Sequence, residues 1–201
     1  MTVFSGPRRV ALWLVPLAAS LLAGCGGRYR PVSDYPVRIG RPYTVRGLTY
    51  TPAAAPGYDI VGYASWYGNE SGNRTANGER FRAKAITAAH TTLPLPSYVE
   101  VTALDTGRTI LVRVNDRGPF VQGRVIDLSR GAAGLLGVRA GSPAAVRVRV
   151  VEPTEGDRER LRNGKAGSAR PDISPARRAM LRAALDGNGS ASLPRTMPAE
   201  M

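Results

Sequence analysis

Four ionisable side chains stand out by type and by setting: Glu79, His90, Asp116 and Asp127. Together they could do acid–base work. Asp116 ends an alternating run, Val112-Arg113-Val114-Asn115-Asp116, and Arg117-Gly118-Pro119-Phe120 follows. Strand gives way to loop there, which is where a rigid scaffold usually carries its catalytic groups. A turn-forming Asp bonded to its own backbone fits the same pattern. Asp127 lies among apolar residues in Arg124-Val125-Ile126-Asp127-Leu128-Ser129. Partial burial would raise its pKa and make it an acid, whereas a place at a helix N-terminus would lower it. Glu79 follows the turn signal Asn77-Gly78 and falls on the lip of a loop. On spacing alone it reads as solvated. His90, the one histidine, can exchange protons near neutral pH, but on spacing alone it reads as a polar core residue. One His and one Cys offer no structural zinc set. Asp105-Thr106-Gly107 matches the aspartic-protease triplet, but its flanks fit a hairpin turn, and that mechanism needs two copies.

The single cysteine, Cys25, points to location rather than to catalysis. Arg8 and Arg9 precede an apolar stretch from Val10 to Leu22, too short for a transmembrane helix. A positive start with a short apolar run reads as a secretory signal peptide. It ends in Leu21-Leu22-Ala23-Gly24-Cys25, which resembles the lipobox of bacterial lipoproteins, with cleavage before Cys25 and lipid on its sulfur. Gly26, not Asp, follows, and in that family's sorting rule this favours the outer membrane. The formal net charge is +13. A basic surface attracts polyanions. With an export signal present, the expected partner is the envelope and not nucleic acid, and a plain solvated basic surface explains the charge equally well.

These residues need elements to hold them. Residues 1–24 are the expected signal peptide, and 25–57 the lipidated N-terminus and an extended spacer rich in Pro, Gly, Arg and Tyr. Within the spacer, Arg41 to Pro52 carries aromatic and apolar residues that need cover and could fold back. Residues 58–152 read as a compact all-β domain. Gly62 to Tyr67, Tyr98 to Leu104, Thr109 to Asn115, Arg124 to Asp127 and Ala145 to Val151 are the expected strands, several alternating with period two. Asp105 to Arg108 is a turn. Ser129 would cap a short helix running to about Leu136, and Gly137 would end it. Short strands with Gly and Pro turns suggest a small barrel, which removes sheet edges. Residues 153–201 are polar and expected to be mostly disordered, with one amphipathic helix over Pro175 to Asp186.

Taken together, five runs resemble one family, the rare lipoprotein A group of septal-ring lytic transglycosylases. They are Gly62 to Gly68, Arg74 to Glu79, Thr87 to Pro96, Val112 to Phe120 and Arg124 to Ser129, within a span of about 41–151. The resemblance implies an all-β fold: a six-stranded double-psi β-barrel with one or two short helices, flanked by extended or disordered tails. It implies non-hydrolytic cleavage of peptidoglycan glycan strands to 1,6-anhydro ends, with strands lacking stem peptides as the suggested form. No metal or organic cofactor is implied. Glu79, His90 and Asp116 match family positions important for activity, and Asp127 matches the acidic residue of related barrels such as expansins. Trp66, Tyr67, Thr75, Asn77, Asn115 and Arg117 are the residues implied to bind substrate.

A glycosidic bond breaks when an acid protonates the leaving oxygen. In a lytic cut the sugar's own 6-hydroxyl attacks in place of water. Either Asp116 or Asp127 can be the acid, and the sequence does not rank them. Two departures stand out. The loop Gly68 to Arg74 lacks the aromatic-His-Gly run of many relatives, and no sporulation-related repeat follows the barrel. The runner-up function is a non-catalytic, expansin-like wall-binding lipoprotein. A third is a scaffold for cell-division proteins.

Overall fold

The computed structural model describes residues 1–2, 30–67, 72–138, 143–188 and 191–192. The predicted signal peptide and Cys25 lie outside these residues, as does most of the loop after Tyr67. A short hairpin comes first, β1 (Tyr43–Val45) and β2 (Leu48–Tyr50), then β3 (Asp59–Tyr67), β4 (Thr87–Ala89), β5 (Ser97–Ala103), β6 (Thr109–Asp116) and β7 (Arg124–Ser129). They are followed by α1 (Arg130–Leu136), β8 (Ala144–Val150), α2 (Glu155–Arg162) and α3 (Pro175–Asn188). A two-residue strand, β9 (Ala191–Ser192), pairs with β3.

Strands β3 to β8 close on themselves in the order β3, β8, β5, β6, β4, β7 and back to β3. The β3–β7 and β4–β6 pairs are parallel and the other four antiparallel. This is the six-stranded barrel the resemblance implies. Its strands turn apolar side chains to a common interior. Val99 pairs with Val112, and Val101 lies between Ile110 and Val148. With Ala64, Ala88, Val114, Ile126 and Leu128 they form one core from which water is excluded. Burying such side chains removes apolar area at about 25 cal/mol per Å². Asp105 to Arg108 turn between β5 and β6, with the Gly107 N–H bonded to the Ala103 carbonyl. Helix α1 starts where Ser129 accepts from the Ala132 N–H and stops at Gly137, whose φ of 82° suits glycine.

The flanks differ from the expectation of an extended spacer and a mostly disordered tail. From Arg30 onward the N-terminal segment is docked. Arg38 and Leu95 exchange backbone hydrogen bonds, and Asp34 is buried, bonded to Tyr98, Arg113 and Arg162. The β1–β2 hairpin folds back as its aromatics require: Tyr43 stacks on Tyr50 at 5.4 Å, and both meet Phe120. After the barrel, α2 buries Leu161 in the core cluster. Helix α3 covers an outer face of Val61, Leu104 and Ala145 with Leu181 and Leu185. Three leucines and the Asp157–Arg170 pair anchor a segment whose average composition is polar.

Candidate active site

The four predicted ionisable residues fall on one region of the barrel, in two different roles. Both aspartates flank Ala89 of β4. Asp127 is its antiparallel partner on β7, and Asp116 its parallel partner on β6. Two strand spacings separate their backbones, about 10 Å. Asp116 faces outward because of a β-bulge. Ala88 pairs with Val114, but Ala89 pairs with Asp116, so Asn115 is an extra residue. Strict alternation from Val114 would turn Asp116 into the core, and the bulge re-aims it to the same outer face as Asp127. Ser65 pairs with and bonds Asp127 from β3, and Tyr67, two residues on, shares that face.

The two carboxylates are held differently. Asp116 Oδ1 accepts from the backbone N–H groups of Ala76 and Arg117, both at 2.8 Å. Burial nevertheless raises its pKa above the ordinary carboxylate value. Asp127 Oδ1 accepts from the Ser65 hydroxyl at 2.5 Å and lies 3.6 Å from Arg124 Nε. Its pKa is also raised by burial, against the pull of Ser65 and Arg124. Arg124 in turn donates to Ser65 at 2.6 Å. Gly118 passes over this face: a Cβ there would lie 3.6 Å from Ala89 Cβ and 3.8 Å from Asp127 Oδ2.

Glu79 and His90 are buried beside this face with their polar atoms engaged. Glu79 accepts four hydrogen bonds, two from Arg113 and one each from Asn77 and Asn115, at 2.8–2.9 Å. Arg113, itself 1% exposed, also reaches Asp34 and the Ser33 carbonyl. This knot ties the docked N-terminal segment to the 75–79 turn, whose Ala76 N–H holds Asp116. His90 Nδ1 accepts from the N–H groups of Thr92 and Leu93, so the ring proton sits on Nε2, 2.7 Å from the Tyr58 hydroxyl. Burial lowers its pKa to about 3, with the Arg117 charge adding to the shift. The ring is therefore neutral at physiological pH and braces the 90–93 loop.

Of the residues implied to bind substrate, Thr75 and Asn77 bond within their own turn and to Glu79. Arg117 spends its guanidinium on the carbonyls of Ile39, His90 and Leu93. Trp66 pairs with Leu128 and packs against the core. Tyr67 and Asn115 each retain one buried polar atom without a partner. Sequence reasoning did not single out Ser65, Arg124, Arg113, Asp34 or Tyr58. A lone Arg between two valines of a strand was the available signal for Arg113. The others act through contacts far apart in sequence. Among the described residues, no group of three or more His, Cys, Asp and Glu could hold a metal ion, and no helix is long and apolar enough to cross a membrane.

A closed barrel with two outward carboxylates of raised pKa on the two strands that flank β4 defines a candidate acid–base site on a double-psi scaffold. Residues 59–150 match the family model described as lytic transglycolase. The chain is similar to three proteins named endolytic peptidoglycan transglycosylase RlpA. It is 49% identical over 140 residues to that of Pseudomonas aeruginosa (69% of this chain, 41% of that protein). To that of Campylobacter jejuni it is 42% identical over 158 residues (68% and 58%), and to that of Vibrio cholerae 41% identical over 166 residues (70% and 63%). The chain thus spans about half the length of the curated relatives it matches.

Proposed function

We propose that this protein is a lytic transglycosylase that cleaves peptidoglycan glycan strands to 1,6-anhydro ends. The observation that carries the reading is the placement of Asp116 and Asp127 on either side of Ala89, both with pKa raised by burial. A carboxyl whose pKa is raised holds its proton to higher pH than an ordinary one, which suits an acid. Asp116 suits that role. Its Oδ1 is fixed by two N–H groups, the described residues give Oδ2 no partner, and the nearby Arg117 guanidinium is spent on carbonyls. Asp127, beside Arg124 and Ser65, suits the anionic role.

The acid passes its proton to the bridging oxygen as the bond to the anomeric carbon breaks. The 6-hydroxyl of the same sugar attacks that carbon, and its proton passes to a carboxylate. Glu79 and His90 support the site as frame: one holds the turn that positions Asp116, the other the loop that Arg117 ties down. The catalysis needs no cofactor in this scheme. The same reading carries a lipid on Cys25, placement in the cell envelope with the outer membrane as the anchoring layer, strands without stem peptides as the preferred form, and cell-division proteins as partners. These rest on the lipobox and on the family resemblance.

The test is digestion of purified glycan strands, with and without stem peptides, read by mass for anhydro-ended fragments. The wild type should release them. Asp116→Asn should lose at least about a hundredfold of the rate, and Asp127→Asn should lose a substantial part. If both variants kept full activity, the proposal would fail. One observation favours the second reading, a wall-binding module without catalysis: Glu79 and His90 are fully spent on structure. Strand binding without products would select it.

A further inference from the structure

Among the described residues beyond Met1, nine large apolar side chains are exposed, and five of them crowd into one short segment: Val32, Tyr35, Val37, Ile39 and Leu48, at 38–81% exposure. The other four, Tyr63, Val121, Leu135 and Met180, fall singly along the chain. Isolated exposed apolar side chains are ordinary, whereas a concentration of them marks a contact surface. Unmatched charge gathers in the same segment. Arg30, Arg38, Arg41 and Arg46 are exposed, and none forms an ion pair with a described residue. Eight arginines from Arg113 onward do. The one acid of residues 30–50, Asp34, is buried and taken by Tyr98, Arg113 and Arg162.

Hydrogen bonds give this segment a docked side. The Arg30 N–H donates to the Gly78 carbonyl, Arg38 exchanges bonds with Leu95, and the Ile39 carbonyl accepts from Arg117. Further on, the Tyr43 hydroxyl donates to the Thr91 carbonyl at 2.7 Å and the Ala53 N–H to the Thr92 carbonyl at 3.0 Å. Pinned along the 90–95 loop at these points, the segment leaves its remaining side chains to solvent. We propose that residues 30–48 form a face that lies on an anionic phospholipid surface, the apolar side chains entering the interface and the arginines meeting headgroup phosphates. The inference rests on the reading of Cys25 as a lipid anchor and deepens it.

Three observations favour lipid as the occupant. Arg30 stands five positions after Cys25, so the face begins where acyl chains on that sulfur would enter a bilayer. The mixture of Tyr, aliphatic side chains and unpaired Arg suits an interface, where apolar groups reach the acyl boundary and cations meet phosphates. An anionic wall polymer would call for the charge and leave the aliphatic side chains without a use. A second copy of the chain would set arginines against arginines, with no exposed acid of residues 30–50 between them. Such a face binds weakly alone and effectively once tethered, because the anchor holds it at high local concentration. The contact then fixes how the barrel faces the bilayer: the 75–79 turn and the 90–95 loop, both bonded to the segment, lie on the membrane side.

Among the described residues, every member of the two core clusters lies between Ala55 and Leu185. A chain starting at residue 26 therefore keeps the packed fold and lacks both the apolar stretch and Cys25. Its partition onto vesicles of phosphatidylcholine with about one-third phosphatidylglycerol is measured by sedimentation. The wild type should bind, and binding should fall about tenfold on phosphatidylcholine alone or in high salt. Arg38→Glu with Arg41→Glu should lose about tenfold, and Val37→Ser with Ile39→Ser and Leu48→Ser several-fold. All five side chains are exposed, so melting temperatures should hold; if one set lowered them, the other set carries the comparison. Met180→Ser, an exposed apolar side chain on α3, should bind as the wild type does. No binding to anionic vesicles, or equal binding by wild type and both sets, overturns the proposal. So does a dimer that these substitutions dissolve, or retention on insoluble peptidoglycan that they abolish without any binding to vesicles. The mass of Cys25 in the full chain from cells is read separately: an unmodified cysteine removes the anchor reading, and the vesicle result alone then decides the face.

Discussion

Four acidic and basic residues near one face do not share one job, and substitution should separate them. Glu79 receives four N–H donors, two from the buried Arg113. Glu79→Gln removes the charge that compensates Arg113 and turns an NH2 group toward other donors. Breaking a buried pair in this way costs about 3–5 kcal/mol, so activity and melting temperature should fall together. Asp116→Asn should do the opposite. The Asn carbonyl can still accept from Ala76 and Arg117, and the desolvated charge is gone. The sign with pH follows from the direction of the shift. The folded-state pKa of Asp116 is raised, so the stability it contributes is fully present below the unfolded value, which is about 3.9. That contribution is lost as pH rises through the folded value. The melting temperature of Asp116→Asn relative to wild type should therefore be highest near neutral pH and shrink toward pH 3.5. An unchanged difference across that range would remove the case for a buried, charge-averse Asp116.

At the scale of elements, period-two runs and the turn residues between them made five of the six barrel strands legible, even though β6 is buried on both faces. Strand β4 was not legible. Three residues, Thr87–Ala89, carry no period, and only its neighbours β6 and β7 define it. The bulge was not legible either. Nothing local marks Asn115 as the extra residue, yet it decides which way Asp116 points. The identities of Asp116 and Asp127 could be read from their settings, whereas their common face could not, since it comes from pairing across β4. The flanks were misjudged for a related reason. Mean composition hides three well-spaced leucines. Leu185 is 2% exposed against Val61, Leu104 and Ala145, so Leu185→Ala should cost about 2–5 kcal/mol, measured by denaturant unfolding. A cost near zero would mean that α3 contributes nothing to the fold, as a disordered tail would.

The whole molecule changes the picture of the tether. A spacer running from Cys25 to residue 57 would let the barrel range widely. Among the described residues the docked segment already includes Arg30, however, whose N–H bonds the Gly78 carbonyl at 2.8 Å, beside Glu79. Cys25 stands five positions before it, and five extended residues span roughly 17 Å. If Cys25 carries lipid, the site is held close to the membrane, and the turn that positions Asp116 lies next to the point where the tether meets the barrel. The net positive charge of the chain adds an attraction to anionic wall polymers. Inserting a flexible twenty-residue Gly/Ser segment between Cys25 and Arg30 adds a coil of about 25 Å r.m.s. span. The rate on purified strands should stay at the wild-type level, while anhydro-ended fragments released by cells should increase. Cys25→Ser should also keep the rate in solution but lose the cellular release. Cellular release unchanged in both variants would show that neither the anchor nor its length places this domain on its substrate.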